Sequence, residues 1–259
     1  MKCILLYLLF IPGIIWARPV VLVSYYDAFN GSPFNNSQRI ANRLALAFKD
    51  SDIELRLCAL NTVFDKSYAQ MENCLKELES KPVLVLGLGE SNCNLKIELL
   101  GRNRDKTFGP DNEGNNRESV LIIPEAEAEI GFTYPLAQMY CAVPENEREK
   151  IEVSNNAGSF VCNNTAFKLS YYYPDIASGF IHVPSHHCRG LDKKSDAAFL
   201  NLKLMISKAV DLNGKHLSRL PKNKNELKEI RLKVENKDKC LHQFFKRARG
   251  ADEKGFWPF

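Results

Sequence analysis

Three residue types needed for nucleophilic catalysis occur where an α/β chain gathers reactive groups. Cys162 stands in EVSNNAGSFVCNNTAFKLSYYYP, where an apolar strand end turns through Asn-Asn-Ala-Gly toward a helix. His182 lies near the end of the apolar run GFIHVP, and Glu98 lies within NLKIELLGRN. A cysteine attacks only as thiolate. It needs a base, and the base needs a group that fixes its tautomer. Cys162, His182 and Glu98 supply those three roles, and a helix start beside Cys162 favours the thiolate through its backbone N–H groups. The same residues also read structurally, as a packed or disulfide-bonded cysteine, a core histidine and a solvated glutamate. A second cluster, His182, His186, His187 and Cys188, has the residue types of a zinc site. No second Cys/His group complements it, so His186 and His187 are expected in a loop and Cys188 in a disulfide.

The elements that must position these groups follow from hydrophobic pattern. Short, β-branched apolar runs at 20–25, 53–57, 83–88, 120–123, 151–153 and 179–183 predict strands. Amphipathic stretches predict helices starting at Ser37 (with Ile40, Leu44 and Phe48 on one face), and over 66–78, 157–172 and 196–210. The alternation predicts one α/β domain over 18–212, a twisted, mostly parallel sheet flanked by helices. In such sheets, functional groups gather at the carboxyl ends of strands.

The chain has 259 residues, 45% hydrophobic and 25% charged, which suits one such domain with an appendage. Residues 1–17 carry Lys2, a short apolar run interrupted by Pro12 and Gly13, and a small residue, Ala17, at the end. This predicts a secretory signal peptide and a secreted or periplasmic protein, without stable membrane insertion once the leader is removed. Seven cysteines then remain: Cys58, Cys74, Cys93, Cys141, Cys162, Cys188 and Cys240. An odd count in an oxidising compartment predicts pairs plus a free thiol. Three disulfides with Cys162 unpaired fit, and the connectivity stays open. Glycosylation sequons begin at Asn30, Asn35 and Asn163. A glycan beside a working Cys162 would block it, so unused sequons and a bacterial source are expected. Residues 211–259 hold 13 Lys/Arg against 7 Asp/Glu. Leu227, Ile230, Val234 and Leu241 can share one helical face there. The mixed signs favour a solvated helix packed back on the domain over an anionic partner, and no motif for nucleic acid appears.

Four stretches resemble the pyroglutamyl peptidase type I family, cysteine peptidases that remove N-terminal pyroglutamate. VLVSYYDAFNGSPFNNS resembles the family's VLVTGFEPFGG followed by N-P-S. LGLGESNCNLKIELLGRN with DNEG resembles G-Q-A-G-G-R…E-R-V-A-I-N…D-N-x-G. VSNNAGSFVCN resembles V-S-N-x-A-G-x-x-x-C-N, and SGFIHVP resembles G-F-I-H-V-P. The resemblance spans about residues 19–210. It implies a phosphorylase/hydrolase-like fold, Cys162 as nucleophile, His182 as general base and Glu98 as its orienting acid. It implies a thioester intermediate, a peptide substrate with N-terminal pyroglutamate and no metal or organic cofactor. Tyr26 and Phe29 match the family's aromatic pocket positions, and Phe160 and Val161 match its wall beside the cysteine. The family forms dimers and tetramers, so a homo-oligomer is a further expectation.

Several positions depart from the family pattern. Leu88 replaces the glutamine of G-Q-A-G-G-R and Asn92 its arginine; Phe108 falls where the family has another arginine. Tyr25 and Asn30 replace loop glycines. A missing lactam contact changes specificity, because polar contacts discriminate strongly. A missing oxyanion cation slows turnover, and Arg102 or Arg104 are the nearby replacements. The departures keep an alternative open: a non-catalytic or altered-specificity binding protein on the same fold.

Overall fold

The computed structural model describes residues 17–107, 109–212 and 238–252. The leader up to residue 16, Phe108, Leu227, Ile230 and Val234 lie outside the described residues. Eight strands form: β1 Val20–Tyr26, β2 Glu54–Leu60, β3 Leu84–Glu90, β4 Lys96–Glu98, β5 Leu100–Arg102, β6 Glu129–Gly131, β7 Glu152–Ser154 and β8 Ser178–Val183. The helices are α1 Asn36–Phe48, α2 Lys66–Lys76, α3 Leu136–Cys141, α4 Glu145–Arg148, α5 Val161–Tyr172, α6 Leu191–Asp211 and α7 Lys239–Asp252. Six strands make the main sheet in the order β2-β1-β3-β8-β4-β7, and β5 and β6 form a separate antiparallel pair. Every neighbour pair in the main sheet is parallel except β4 with β8. The chain is therefore the expected α/β domain, with the β1, β3 and β8 runs buried on both faces as parallel strands require. Helices α1 and α6 pack on each other, as do α2 and α5.

Local chemistry moves several boundaries. Asn35, not Ser37, caps α1, its side chain accepting from the Ser37 N–H at 3.0 Å. The helix expected from residue 157 starts only at Val161, because Gly158 adopts φ +86°, a left-handed turn open to glycine. The run at 120–123 is not a strand. Val120 makes one isolated bridge to Asp105, and Val120 and Leu121 are exposed. β4, β5 and β6 have three residues each, too few for an alternating pattern to reveal them.

Among the described residues three disulfides join Cys58 to Cys74, Cys93 to Cys188 and Cys141 to Cys240, and Cys162 is free. The first fastens β2 to α2; the last fastens α7 to the end of α3. α7 packs back on the domain. Phe244 is buried against Tyr140 with ring centroids 5.4 Å apart, and Arg247 Nη1 donates to the Ile151 carbonyl at 3.0 Å. Among the described residues no helix is long and apolar enough to cross a membrane.

One buried side chain sets where the antiparallel strand ends. The paired register runs through Lys96↔His182 and Ile97↔Ile181. At the next step the Tyr134 hydroxyl enters, its proton shared between the carbonyls of Glu98 (2.7 Å) and Phe180 (3.0 Å). The ring reaches that position by lying flat over Gly179, where an added Cβ would sit 1.9 Å from its carbons. Replacing Gly179→Ala is expected to cost about 2–3 kcal/mol or more of stability by overpacking. Urea unfolding of the pure variant would read it, and an unchanged midpoint would show that Tyr134 is free to move.

Candidate active site

The sheet register brings the predicted catalytic residues to one place. In the parallel β3–β8 pair Gly89 stands opposite His182, and in the antiparallel β4–β8 pair Glu98 stands diagonally across from it on the same face. A glutamate side chain spans that diagonal. Glu98 Oε1 lies 2.7 Å from His182 Nδ1, with Glu98 fully buried and His182 6% exposed. Nδ1 donates to the carboxylate, which leaves Nε2 for the cavity. The other oxygen, Glu98 Oε2, is buried and makes no hydrogen bond among the described residues.

Cys162 comes from the opposite layer. It is the second residue of α5, and its backbone N–H is one of the first-turn donors that have no helical acceptor. The sulfur lies directly over β3: a Cβ built on Gly89 would sit 2.9 Å from Cys162 Sγ and 2.8 Å from Phe180 Cζ. Since Gly89 is paired with His182, sulfur and imidazole share one strand spacing. Both line a cavity of about 530 Å³.

That cavity has two halves. Tyr26, Phe29 and Phe160 line one, with the Phe29 and Phe160 ring centroids 5.1 Å apart and Phe64 edge-on to Phe160 behind them. Three of the four expected pocket residues are therefore present. Val161 is the exception: it is fully buried in the core and does not line the cavity, because the first turn of α5 rotates it inward. Leu88 is likewise core, on the sheet interior rather than at the cavity wall. Arg102 and Arg104 do not reach the cavity; Arg102 faces Glu129 instead. Phe34, Glu90, Ser185, His186 and His187 line the other half. The sequence reading missed Glu90, although it stands at a glycine position of the G-Q-A-G-G-R motif.

The zinc arrangement does not form. Cys188 is spent in a disulfide, His182 faces Glu98 and His186 faces Glu90 at 2.7 Å. Among the described residues no group of three or more His, Cys, Asp or Glu is placed to hold a metal ion. The sequon at Asn163 is also closed: that side chain is fully buried and bonds the Arg102 backbone at 2.8 Å.

The electrostatics reverse one expectation. Burial pushes the Cys162 thiol up to about 12; its own backbone N–H pulls down, and Glu98 and Glu90 push further up. The helix start does not outweigh desolvation, because two carboxylates stand on the same side of the account. These influences together favour the thiol at rest. Alkylation of Cys162 by iodoacetamide is expected to be slow at about pH 7 and to climb about tenfold per pH unit up to about pH 10. A plateau near about pH 8 would instead reveal a resting thiolate. Gly89→Ala is expected to lower catalytic rate by about 10²-fold, since a methyl there displaces the sulfur. A fully active variant would place the nucleophile elsewhere.

The family model for pyroglutamyl peptidase matches residues 20–211. The pyrrolidone-carboxylate peptidase of Streptococcus pyogenes is 29% identical over 182 residues, which cover 69% of this chain and 83% of the relative. Among solved structures, Bacillus amyloliquefaciens pyroglutamyl peptidase I superposes with a TM-score of 0.66 at 25% identity, covering 76% of this chain and 99% of that one. A mutant pyrrolidone carboxyl peptidase from Pyrococcus furiosus gives 0.64 at 26% identity, over 75% of this chain and 99% of that one. The matched span holds every strand and both faces of the cavity described above, and with it the chain belongs to the pyroglutamyl peptidase family of cysteine peptidases.

Proposed function

We propose that this chain hydrolyses the bond after an N-terminal pyroglutamate, with Cys162 as nucleophile, His182 as general base and Glu98 as the residue that orients it. The observation that carries the reading is the buried Glu98–His182 bond of 2.7 Å opening onto the cavity that also holds the free cysteine. The flat lactam rests against the packed Phe29 and Phe160 rings, with Tyr26 as the third wall. His182 Nε2 takes the Cys162 proton as Sγ attacks the exocyclic carbonyl carbon of the pyroglutamyl group. The Cys162 backbone N–H at the start of α5 faces the oxygen that gains charge. When the C–N bond breaks, His182 returns its proton to the leaving amine, and a thioester remains. Water then gives a proton to His182 as it attacks the thioester, and the departing sulfur recovers that proton. With the resting thiol raised to about 12, proton transfer accompanies attack rather than preceding it.

The reading includes export to an oxidising compartment, supported by three disulfides that leave Cys162 as the free cysteine among the described residues. The altered residues at Leu88 and Asn92 lie off the cavity wall, which supports retained turnover over a non-catalytic binding role. A homo-oligomer is compatible with the family; size-exclusion chromatography with light scattering would decide it.

The test is release of aminocoumarin from pyroglutamyl-aminocoumarin by the native chain beside Cys162→Ala and Glu98→Gln. Expected are loss of turnover in Cys162→Ala and a fall of about 10²–10⁴-fold in Glu98→Gln, from a misoriented imidazole. Equal background rates in all three would refute the assignment.

A further inference from the structure

The half of the cavity away from the aromatic rings is built around a carboxylate that the proposed chemistry does not use. Glu90 ends β3 one residue beyond Gly89 and so leaves the strand toward the opposite face. There Oε1 accepts the N–H of Asn36, the first residue of α1, and Oε2 accepts from His186 Nδ1 at 2.7 Å. The helix start and the imidazole each present an N–H to one of its oxygens. No lysine or arginine pairs with Glu90 among the described residues. Lys96, which also lines the cavity, faces Glu152 at 3.9 Å instead.

The wall carrying this pair is held rigidly. Past the ends of β3 and β8, Ser91 N–H donates to the Val183 carbonyl at 3.2 Å and Ser185 N–H to the Asn92 carbonyl at 2.8 Å. The Cys93–Cys188 disulfide closes the same two segments. Phe34 packs on the His186 ring at 5.9 Å. Cys162 and His182 line the same cavity as this wall and the aromatic rings. A lactam seated among Tyr26, Phe29 and Phe160 puts its scissile bond at the sulfur, so the residue after it enters the Glu90 half.

We propose that Glu90, held by His186 and the start of α1, forms the subsite for the residue that follows pyroglutamate and selects peptides in which that residue is basic. This rests on the hydrolytic reading above for the direction in which the peptide lies. An anion with only dipolar partners in a partly enclosed cavity attracts a cation and repels a carboxylate. The selection extends to turnover. The Glu90 charge is one of those that oppose thiolate formation at Cys162, and a substrate cation beside it offsets that opposition.

The test uses Cys162→Ala, which binds without turning over, and three peptides, pyroglutamyl-lysine, -glutamine and -glutamate amides, titrated by calorimetry. Lysine is expected to bind about tenfold or more tighter than glutamate, with glutamine between. Adding Glu90→Gln, which keeps an acceptor for the Asn36 N–H and can donate its amide to His186 Nδ1 in the other tautomer, is expected to bring the lysine-to-glutamate ratio to about one. A ratio unchanged by Glu90→Gln, or no preference to begin with, overturns the subsite, as does an equal loss for all three peptides, which would make Glu90 only a latch. Lysine-selective binding without any turnover of these peptides by the native chain would leave the subsite standing and refute the hydrolytic reading instead. Binding of none of them overturns both.

Discussion

The structure depends on one buried contact, the carboxylate of Glu98 against the imidazole of His182. An ionisable carboxyl with no solvent access is costly unless its oxygens find donors, and only one of the two does so within the described residues. Such a bond survives because the backbone around it leaves the two side chains nowhere else to go. β4 enters a parallel sheet in the antiparallel sense, which is what puts a glutamate diagonally across from a histidine rather than one layer away. Tyr134 then stops the strand and holds the backbones of Glu98 and Phe180 through one hydroxyl. Gly179 and Gly89 supply the missing volume, the first for the tyrosine ring and the second for the cysteine sulfur. Each element serves a geometry it does not itself contain.

Much of this was legible in the residues. The apolar runs marked β1, β3 and β8, because six or seven consecutive, nearly all buried residues stand out in the sequence, and the amphipathic period marked α1 and α6. Cys162, His182 and Glu98 were legible from their types and from the family motifs, and the structure gathers them at one cavity. What stayed hidden was local. β4 is three residues long, so Glu98 read as the sequel to a strand rather than a strand of its own. Gly158 delayed α5 by four residues, since a left-handed turn is invisible to a hydrophobic count. Val161 was expected in the pocket wall from the family resemblance, yet one helical step of about 100° separates it from Cys162 and turns it into the core. Glu90 went unnoticed because a charged residue at a strand end is usually solvated, and only the fold shows α1 and His186 closing around it.

The charge arrangement has a chemical logic suited to an oxidising compartment. Oxidants attack thiolates far faster than thiols. On the proposed mechanism, a cysteine biased toward the thiol by burial and by two neighbouring carboxylates is shielded until a substrate draws its proton to His182. The same features that make Cys162 a reluctant nucleophile at rest thus protect it.

The Cys93–Cys188 bridge sits six residues beyond His182 in the chain and closes the cavity wall that bears His186. Activity therefore has two electrochemical edges. At potentials low enough to open that bridge, the wall loses its covalent fastening; at potentials high enough to oxidise sulfur generally, the nucleophile is lost. On the proposed assignment, function occupies the band between them, in which the three described bridges stay closed and Cys162 stays reduced.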